Sequence, residues 1–335
     1  IAVRHAETIH DDLHARALVL ENDGQMVALV VCDVIAVSSR YVQKARELIE
    51  RATGIPAANV MVSPTHTHRG PATVDILATD EDHEYTDWLT GCIVDAVTIA
   101  AQKMVPARIG FGLTDEHRVT VNRRNRMKDG TVQMGRKNPE NIVGPVGPID
   151  PDVGVMYIEA TDGTPLAALI NFALHYVGTD SNSAISADYF GQVDAVLASI
   201  KGPDFVTMML NGACGDINHG TEGSWAESKR VAEVIAGDAL GVIGTMELRD
   251  HAELGAAIRP FTFERKRITE EDLAIARGYL EHGTINEKPF SWVRGQKLPP
   301  ERYPMASKEC FYLSEMPLEL ESEIQVLKVG PTAIV

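Results

Sequence analysis

The chain has 335 residues, 44% of them hydrophobic and 6% aromatic, which provides for a sizeable core of α/β type. With 47 acidic against 31 basic residues the formal charge is -16, and no Lys/Arg block interrupts that balance, so nucleic acid and anionic membrane surfaces are poor partners for the body of the protein. The four cysteines, Cys32, Cys92, Cys214 and Cys310, are far apart without CxxC spacing, which argues against a disulfide framework, and no apolar run reaches the roughly 18–20 residues of a membrane span.

The first element is a hairpin over residues 17–37, turning at Asn22-Asp23-Gly24. An amphipathic helix follows over 39–53, with apolar positions at Val42, Ala45, Leu48 and Ile49 and Gly54 as its stop. A short strand, "NVMVS" (59–63), leads into "PTHTHRGP". Residues 86–105 read as a long helix closed by Pro106, and 107–124 as strand. A polar, Pro/Gly-rich loop is expected from Met127 to Pro151, then a second hairpin over 153–175 turning at Asp162-Gly163. Helices over 187–200 and 224–243 flank the strand "FVTMML" (205–210), and Thr269 with Asp272 has the spacing of a capping box for another helix. Trp292 and Tyr303, in a stretch expected to wall a cleft or anchor at the surface, complete the aromatic candidates. The pattern predicts an α/β fold of mixed β-sheets with flanking helices, read as one domain over 1–335. Ile1 in place of Met and a closing strand through Val335 are the pattern of a chain cut at both ends. The lack of a disulfide pattern favours the cytoplasm, although a removed signal peptide would leave no trace.

Four apolar strands end in chemically capable residues: "VVCD" at Asp33, "VMVSPTHTH" at His66 and His68, "ALINFALH" at His175, and "VTMMLNGACGDINHG" at Asn211, Cys214, Asp216, Asn218 and His219. The ends of strands in α/β sheets gather ligands, because loops from several strands line the same crevice. Two histidines two apart in extended backbone face one side, and imidazole suits zinc, iron, copper or nickel. An HxH pair offers at most two of the about three ligands a catalytic metal takes, and His175 is the natural third donor. Asp33, Asp188, Asp216 and His219 remain to complete a set. Against this stands the plainer possibility of hydrogen-bonded surface histidines, a core His175 and an ordinary Gly-rich turn.

"SPTHTHRGP", "VTVNRR", "NFALHYVG", "ISADYFG" and "LNGACGDIN" occur in the order and approximate spacing of the neutral/alkaline non-lysosomal ceramidase family, and the sequence resembles that family from "DDLHARALVL" to the last strand. The resemblance implies a catalytic domain holding one zinc ion per chain through two histidines, a glutamate and a tyrosine. By motif the histidines are His66 and His175, while the glutamate and tyrosine would follow Val335. It further implies that His68 faces the substrate and that Arg123, or its neighbour Arg124, assists at the reacting amide. Asp33 or Asp216 would then orient a histidine, and Asn211, Gly212, Cys214 and Asp216 would line the substrate. One departure stands out. The family carries a serine before the Gly-Asp turn, where this chain has Gly212 or Ala213. The expected activity is therefore zinc-dependent hydrolysis of an amide or ester by activated water, on a small-molecule or lipid-like substrate. Two rivals remain: a metal-independent hydrolase built on Cys214, and a ligand-binding relic of the fold without turnover.

Overall fold

The computed structural model describes residues 5–76, 79–135, 139–178, 180–181, 183–221, 223–286, 288–293, 298 and 300–335, without the side chains of 293 and 301. Its strands and helices alternate as the sequence predicts, in mixed sheets with helices packed outside them. The first hairpin pairs Ala15–Asn22 with Gln25–Cys32, turning through Asp23 and Gly24, both at positive φ. The chain then crosses through the helix Ser39–Thr53, ended by Gly54 at φ 77°, to the strand Val60–Pro64, parallel to Gln25–Cys32. A second crossover repeats the device: Pro165–Phe172, the helix Asp188–Lys201, then Val206–Asn211 in parallel. Parallel strands joined by a helix bring their carboxyl ends to one edge, so Cys32, Pro64, Phe172 and Asn211 finish near one another.

The second pair belongs to a five-stranded sheet with Asp152–Ala160, Ala107–Asp115 and Leu248–Arg249, in which the remaining pairings are antiparallel. Three buried layers hold these elements. Val155, Ile170, Phe172 and Met209 pack against Val193, Leu197, Val231 and Ile235 of the helices Asp188–Lys201 and Trp225–Gly244. The opposite face of the five-stranded sheet, through Met156, Leu169, Met208 and Leu210, meets Val27, Leu29, Val31 and Met61 of the hairpin sheet. Strand alternation sends Ala28, Val30 and Cys32 the other way, onto Ile49 of Ser39–Thr53 and Leu89, Ile93 and Val97 of the helix His83–Gln102. The section is thus helix, sheet, sheet, helix. Leu254, Leu327 and Val329, from the long antiparallel pair Leu254–Glu264 and Glu319–Val329, close the middle layer.

Several expectations are corrected. The long helix begins at His83, not residue 86, because the Asp82 side chain accepts the Tyr85 N–H and caps it. The strand expected over 107–124 breaks at Glu116–Arg118, where Glu116 takes the Arg118 backbone N–H and guanidinium, and Thr120–Asn122 pairs instead with Ile217–His219. The loop expected from Met127 onward contains Val132–Met134 and Ile142–Pro145, which pair with Arg124–Met127. Tyr303 is no surface anchor: at 2% exposure it sits in a separate cluster with Phe290, Ile275 and Cys310, formed by Glu270–His282 and the unforeseen helix Tyr303–Glu315. Trp292 packs beside Phe290 and under the Lys266 ammonium, and part of the stretch expected to wall a cleft lies outside the described residues. The capping box forms as read, with Thr269 and Asp272 satisfying each other's backbone N–H groups. Among the described residues no helix is long and apolar enough to cross a membrane.

Ile235 has no exposed surface and joins the helix layer to the five-stranded sheet. Ile235→Ala should therefore lower the unfolding free energy by about 2–5 kcal/mol in denaturant titration; a loss under about 1 kcal/mol would mean that this layer is not close-packed.

Candidate metal centre

The strand Val60–Pro64 ends in a turn anchored to its neighbour by backbone bonds, Thr65 N–H to Cys32 O at 2.8 Å and His66 N–H to Val34 O at 3.0 Å. His66 adopts φ 70°, a left-handed conformation uncommon for a side chain of this size, which turns its ring across the strand end. His175 follows Pro165–Phe172 on the other sheet, and its backbone N–H bonds Ile217 O at 3.0 Å. The rings meet there. His68 Nε2 lies 3.3 Å from His66 Nε2 and 3.1 Å from His175 Nε2, and ligand atoms of all three fall within 4.8 Å of one another.

The distal nitrogens are held by different partners. His66 Nδ1 is 2.8 Å from Ile35 O, and because a carbonyl only accepts, Nδ1 carries the hydrogen and Nε2 offers its lone pair to the cluster. His175 Nδ1 lies 2.8 Å from Arg123 NH1 and 3.3 Å from Asn218 Oδ1. Arginine only donates, so facing Arg123 the His175 Nδ1 accepts and its Nε2 bears hydrogen. His68 Nε2 then meets a lone pair on one side and an N–H on the other, and it can satisfy either neighbour but not both. A cation on the Nε2 edges removes the mismatch, provided His175 turns its Nδ1 hydrogen to Asn218 and Arg123 NH1 releases it. The ligand nitrogens of His66 and His175, within 4.8 Å of each other, can then face one ion, with His68 beside them.

Electrostatics favour the neutral form of two of the rings, His175 and His68. Burial, then the Arg123 charge, lowers the His175 pKa to about 4. His68 is lowered to about 4 by burial first and by His175 and His66 next, but solvent reaches its open edge and screens part of this, so the buried His175 is the firmer case.

The other predicted residues distribute around this centre. Arg123, not Arg124, reaches His175; its Nε and NH2 bond Gly215 O at 3.1 and 2.6 Å, while Arg124 starts an exposed strand. Asp33 is hydrogen-bonded to none of the three clustered histidines. Its buried carboxylate accepts the His14 N–H at 2.9 Å and Arg16 NH1 at 2.8 Å, and Arg16 continues to Asp194 at 3.1 Å. Asp216 is engaged by Asn122 Nδ2 at 2.9 Å and braces the turn that presents Arg123. His219 is tied to Val177 O at 2.7 Å and packs on Tyr176, away from the cluster. Asp188 bonds the Thr67 hydroxyl at 2.8 Å instead of facing the imidazole nitrogens. Asn211 bridges the two sheets, its Nδ2 3.3 Å from Thr65 O, and lines a cavity of about 580 Å³ with Met61, Phe111, Met156, Leu169 and Leu210. Cys214 is half-buried, its thiol pKa raised chiefly by burial, and no histidine bonds to it among the described residues. Thr179, expected in a turn behind His175, lies outside the described residues. Sequence reading missed Ile35 and Gly215, which act through backbone carbonyls and carry no side-chain signal. Asn218 stood in a quoted motif without a role.

A family model described as neutral/alkaline non-lysosomal ceramidase, N-terminal, matches residues 2–235. The chain belongs to that family. Neutral ceramidase B of Dictyostelium discoideum is 27% identical over 234 residues, covering 64% of this chain and 32% of the relative. The fold is that of neutral ceramidase from Pseudomonas aeruginosa, with TM-score 0.68 at 21% identity over 97% of this chain and 56% of that one. A ceramidase complexed with C2 is similar, with TM-score 0.66 at 20% identity over 98% and 58%. The chain therefore spans about a third of the curated relative and somewhat over half of the solved ones.

Two measurements check this site. In the metal-free protein the His175 ring should titrate by NMR near pH 4, not near 6.5; since the unfolded chain binds that proton first, the group withdraws stability as pH falls from about 6.5 toward 4. A midpoint above 6 would contradict the burial and the Arg123 contact. At the position of the family serine, a Cβ on Gly212 would stand 3.1–3.2 Å from Ala173 Cβ, Cα and N, whereas Ala213 is exposed. Gly212→Ser should cost about 1–3 kcal/mol in unfolding free energy and Ala213→Ser under about 0.5 kcal/mol; equal costs would mean that Gly212 is not packed against Ala173.

Proposed function

We propose that this protein is a zinc-dependent hydrolase of the ceramidase type, cleaving an amide, or an ester, with water as the nucleophile. The observation that carries the reading is the convergence of three imidazole Nε2 atoms at the joined edges of two sheets, in a chain of the ceramidase family. His66 and His175 would hold one zinc ion, each with its distal nitrogen in reach of a fixed acceptor, Ile35 O and Asn218 Oδ1. Zinc bound there would supply a water of lowered pKa and a Lewis acid for the substrate carbonyl. Arg123, tethered to Gly215 O and beside His175, donates from NH1 to the oxygen on which negative charge develops. His68 faces the substrate with its open edge, and as a neutral imidazole it takes a proton and passes it to the leaving nitrogen.

The cavity beginning at Asn211 is lined by Met61, Phe111, Met156, Leu169 and Leu210 together with residues 332–335, and its apolar part suits the acyl portion of an N-acyl substrate. A thiol mechanism through Cys214 has less support, because burial raises the thiol pKa and no imidazole stands ready to take its proton.

Elemental analysis after zinc loading should give about one zinc per chain, with zinc affinity falling at least 10-fold in His66→Ala and in His175→Ala. His68→Ala should retain zinc and lose at least about 100-fold in hydrolysis of a short N-acyl amide, whereas Cys214→Ser should remain active. Failure of the wild-type protein to bind zinc, or activity that survives chelators and disappears with Cys214→Ser, would overturn the reading.

A further inference from the structure

Thr67, between the two histidines, has no exposed surface, and its hydroxyl is the point where the histidine turn is fastened to the second sheet's crossover. The hydroxyl lies 2.8 Å from Ser186 O and 2.8 Å from Asp188 Oδ2, and it accepts the Arg69 N–H at 3.2 Å. The same Asp188 oxygen faces the His68 N–H at 3.3 Å. The single hydroxyl hydrogen is shared between Ser186 O and Asp188 Oδ2, and that carboxylate oxygen meets both the side chain of Thr67 and the backbone of His68.

Asp188 is itself over-determined. It is 1% exposed, opens the helix Asp188–Lys201 and takes φ 53°, and its N–H bonds Ser186 Oγ at 2.9 Å. Ser186 Oγ donates to Asp11 Oδ2 at 2.7 Å, while Asp11 Oδ1 accepts the Ala187 N–H at 2.6 Å. A left-handed non-glycine residue persists only where its surroundings impose it. His66 and Asp188 both hold that conformation, one on each side of the Thr67 hydroxyl. Both carboxylates lie in the crossover contact and neither reaches the imidazole nitrogens, so their effect on the rings passes through the backbone of residues 66–68.

We infer that Asp188, acting through Thr67 and seated by Asp11, is the positioning residue that sets the spacing of His66 and His68 Nε2 against His175. This rests on the imidazole cluster being the reacting site proposed above. The length of the Thr67 to Asp188 bond fixes how far the histidine turn stands from the strand end that carries His175. Without it the turn keeps its backbone bonds at Thr65, His66 and Arg69 but loses the side-chain tie beside the strained φ of His66, and the imidazole nitrogens shift from their mutual spacing. Asparagine should serve in place of aspartate, since it tolerates left-handed backbone and keeps an acceptor oxygen.

The test is zinc competition against a chromophoric chelator on the full chain, with the visible spectrum of the cobalt-loaded protein and a thermal midpoint recorded alongside. Asp188→Ala should weaken zinc binding by 10- to 100-fold and alter the cobalt bands, with Asp188→Asn returning affinity to within about 3-fold of wild type. A merely structural residue would lower the midpoint and leave zinc affinity and cobalt bands unchanged, and that result overturns the proposal. If Asp188→Ala does not fold, Thr67→Val removes only the hydroxyl: about 10-fold weaker zinc supports the proposal, and unaltered affinity overturns it. If the wild-type protein takes up no zinc, the hydrolase reading fails by itself. Ring ¹⁵N shifts of His66 and His68 in the metal-free protein then decide, moving in Thr67→Val if Asp188 positions them and staying put if it does not.

Discussion

The packing of the hairpin sheet on the five-stranded sheet is the contact on which the site depends. His66 and His68 ride on the strand Val60–Pro64 of one sheet, while His175 follows Pro165–Phe172 of the other. His68 Nε2 comes within 3.1 Å of His175 Nε2 only because Val27, Leu29, Val31 and Met61 bury against Met156, Leu169, Met208 and Leu210. Each such side chain contributes about 1.5–3 kcal/mol on burial, so the layer holds its spacing more firmly than any hydrogen bond at the rim. Asn211 adds a polar tie across the same seam, from its amide to Thr65 O at 3.3 Å.

Around that seam the polar groups are arranged for position. Arg16 spans Asp33 of the first crossover and Asp194 of the second, and Asp194 also accepts the Thr207 N–H at 3.0 Å. Burial raises the Asp33 pKa and the Arg16 charge opposes that rise, so the pair holds register between crossovers more than it adds stability. The same economy applies at the centre, where backbone carbonyls select the tautomer of His66 and anchor Arg123. Strain at His66 is tolerated because three layers of packing and the Thr67 hydroxyl leave the turn no alternative.

The departure from the family pattern also has a packing reason. Gly212 follows Val206–Asn211, its N–H bonds Phe172 O at 3.0 Å, and Ala173 fills the space a side chain would need. A side chain at 212 would therefore require the two strand ends to give by a few tenths of an ångström, while the exposed Ala213 is free of that constraint. Burial raises the Cys214 thiol pKa, which disfavours a thiolate at that position.

Much of the fold was legible from the chain because it depends on local periodicity. The apolar run along Gln25–Cys32, the Asp23-Gly24 turn, the Gly54 stop and the Thr269–Asp272 box are short-range effects, and they appear as read. The short strands after Met127 and the helix Tyr303–Glu315 were not legible, because their stability comes from partners distant in sequence. At the site, residue types and strand ends identified His66, His68 and His175 as candidates, and the resemblance to the ceramidase family added Arg123. Which of them meet was decided in three dimensions. Asp33, Asp216 and His219 had the same credentials on paper, but each found a closer partner in Arg16, Asn122 and Val177 O. Side-chain chemistry is written residue by residue, whereas the distance between two strand ends is set by the apolar layer between their sheets. Only the packed molecule determines that distance, and with it the tautomers, the lowered pKa of His175 and the place of Asp188.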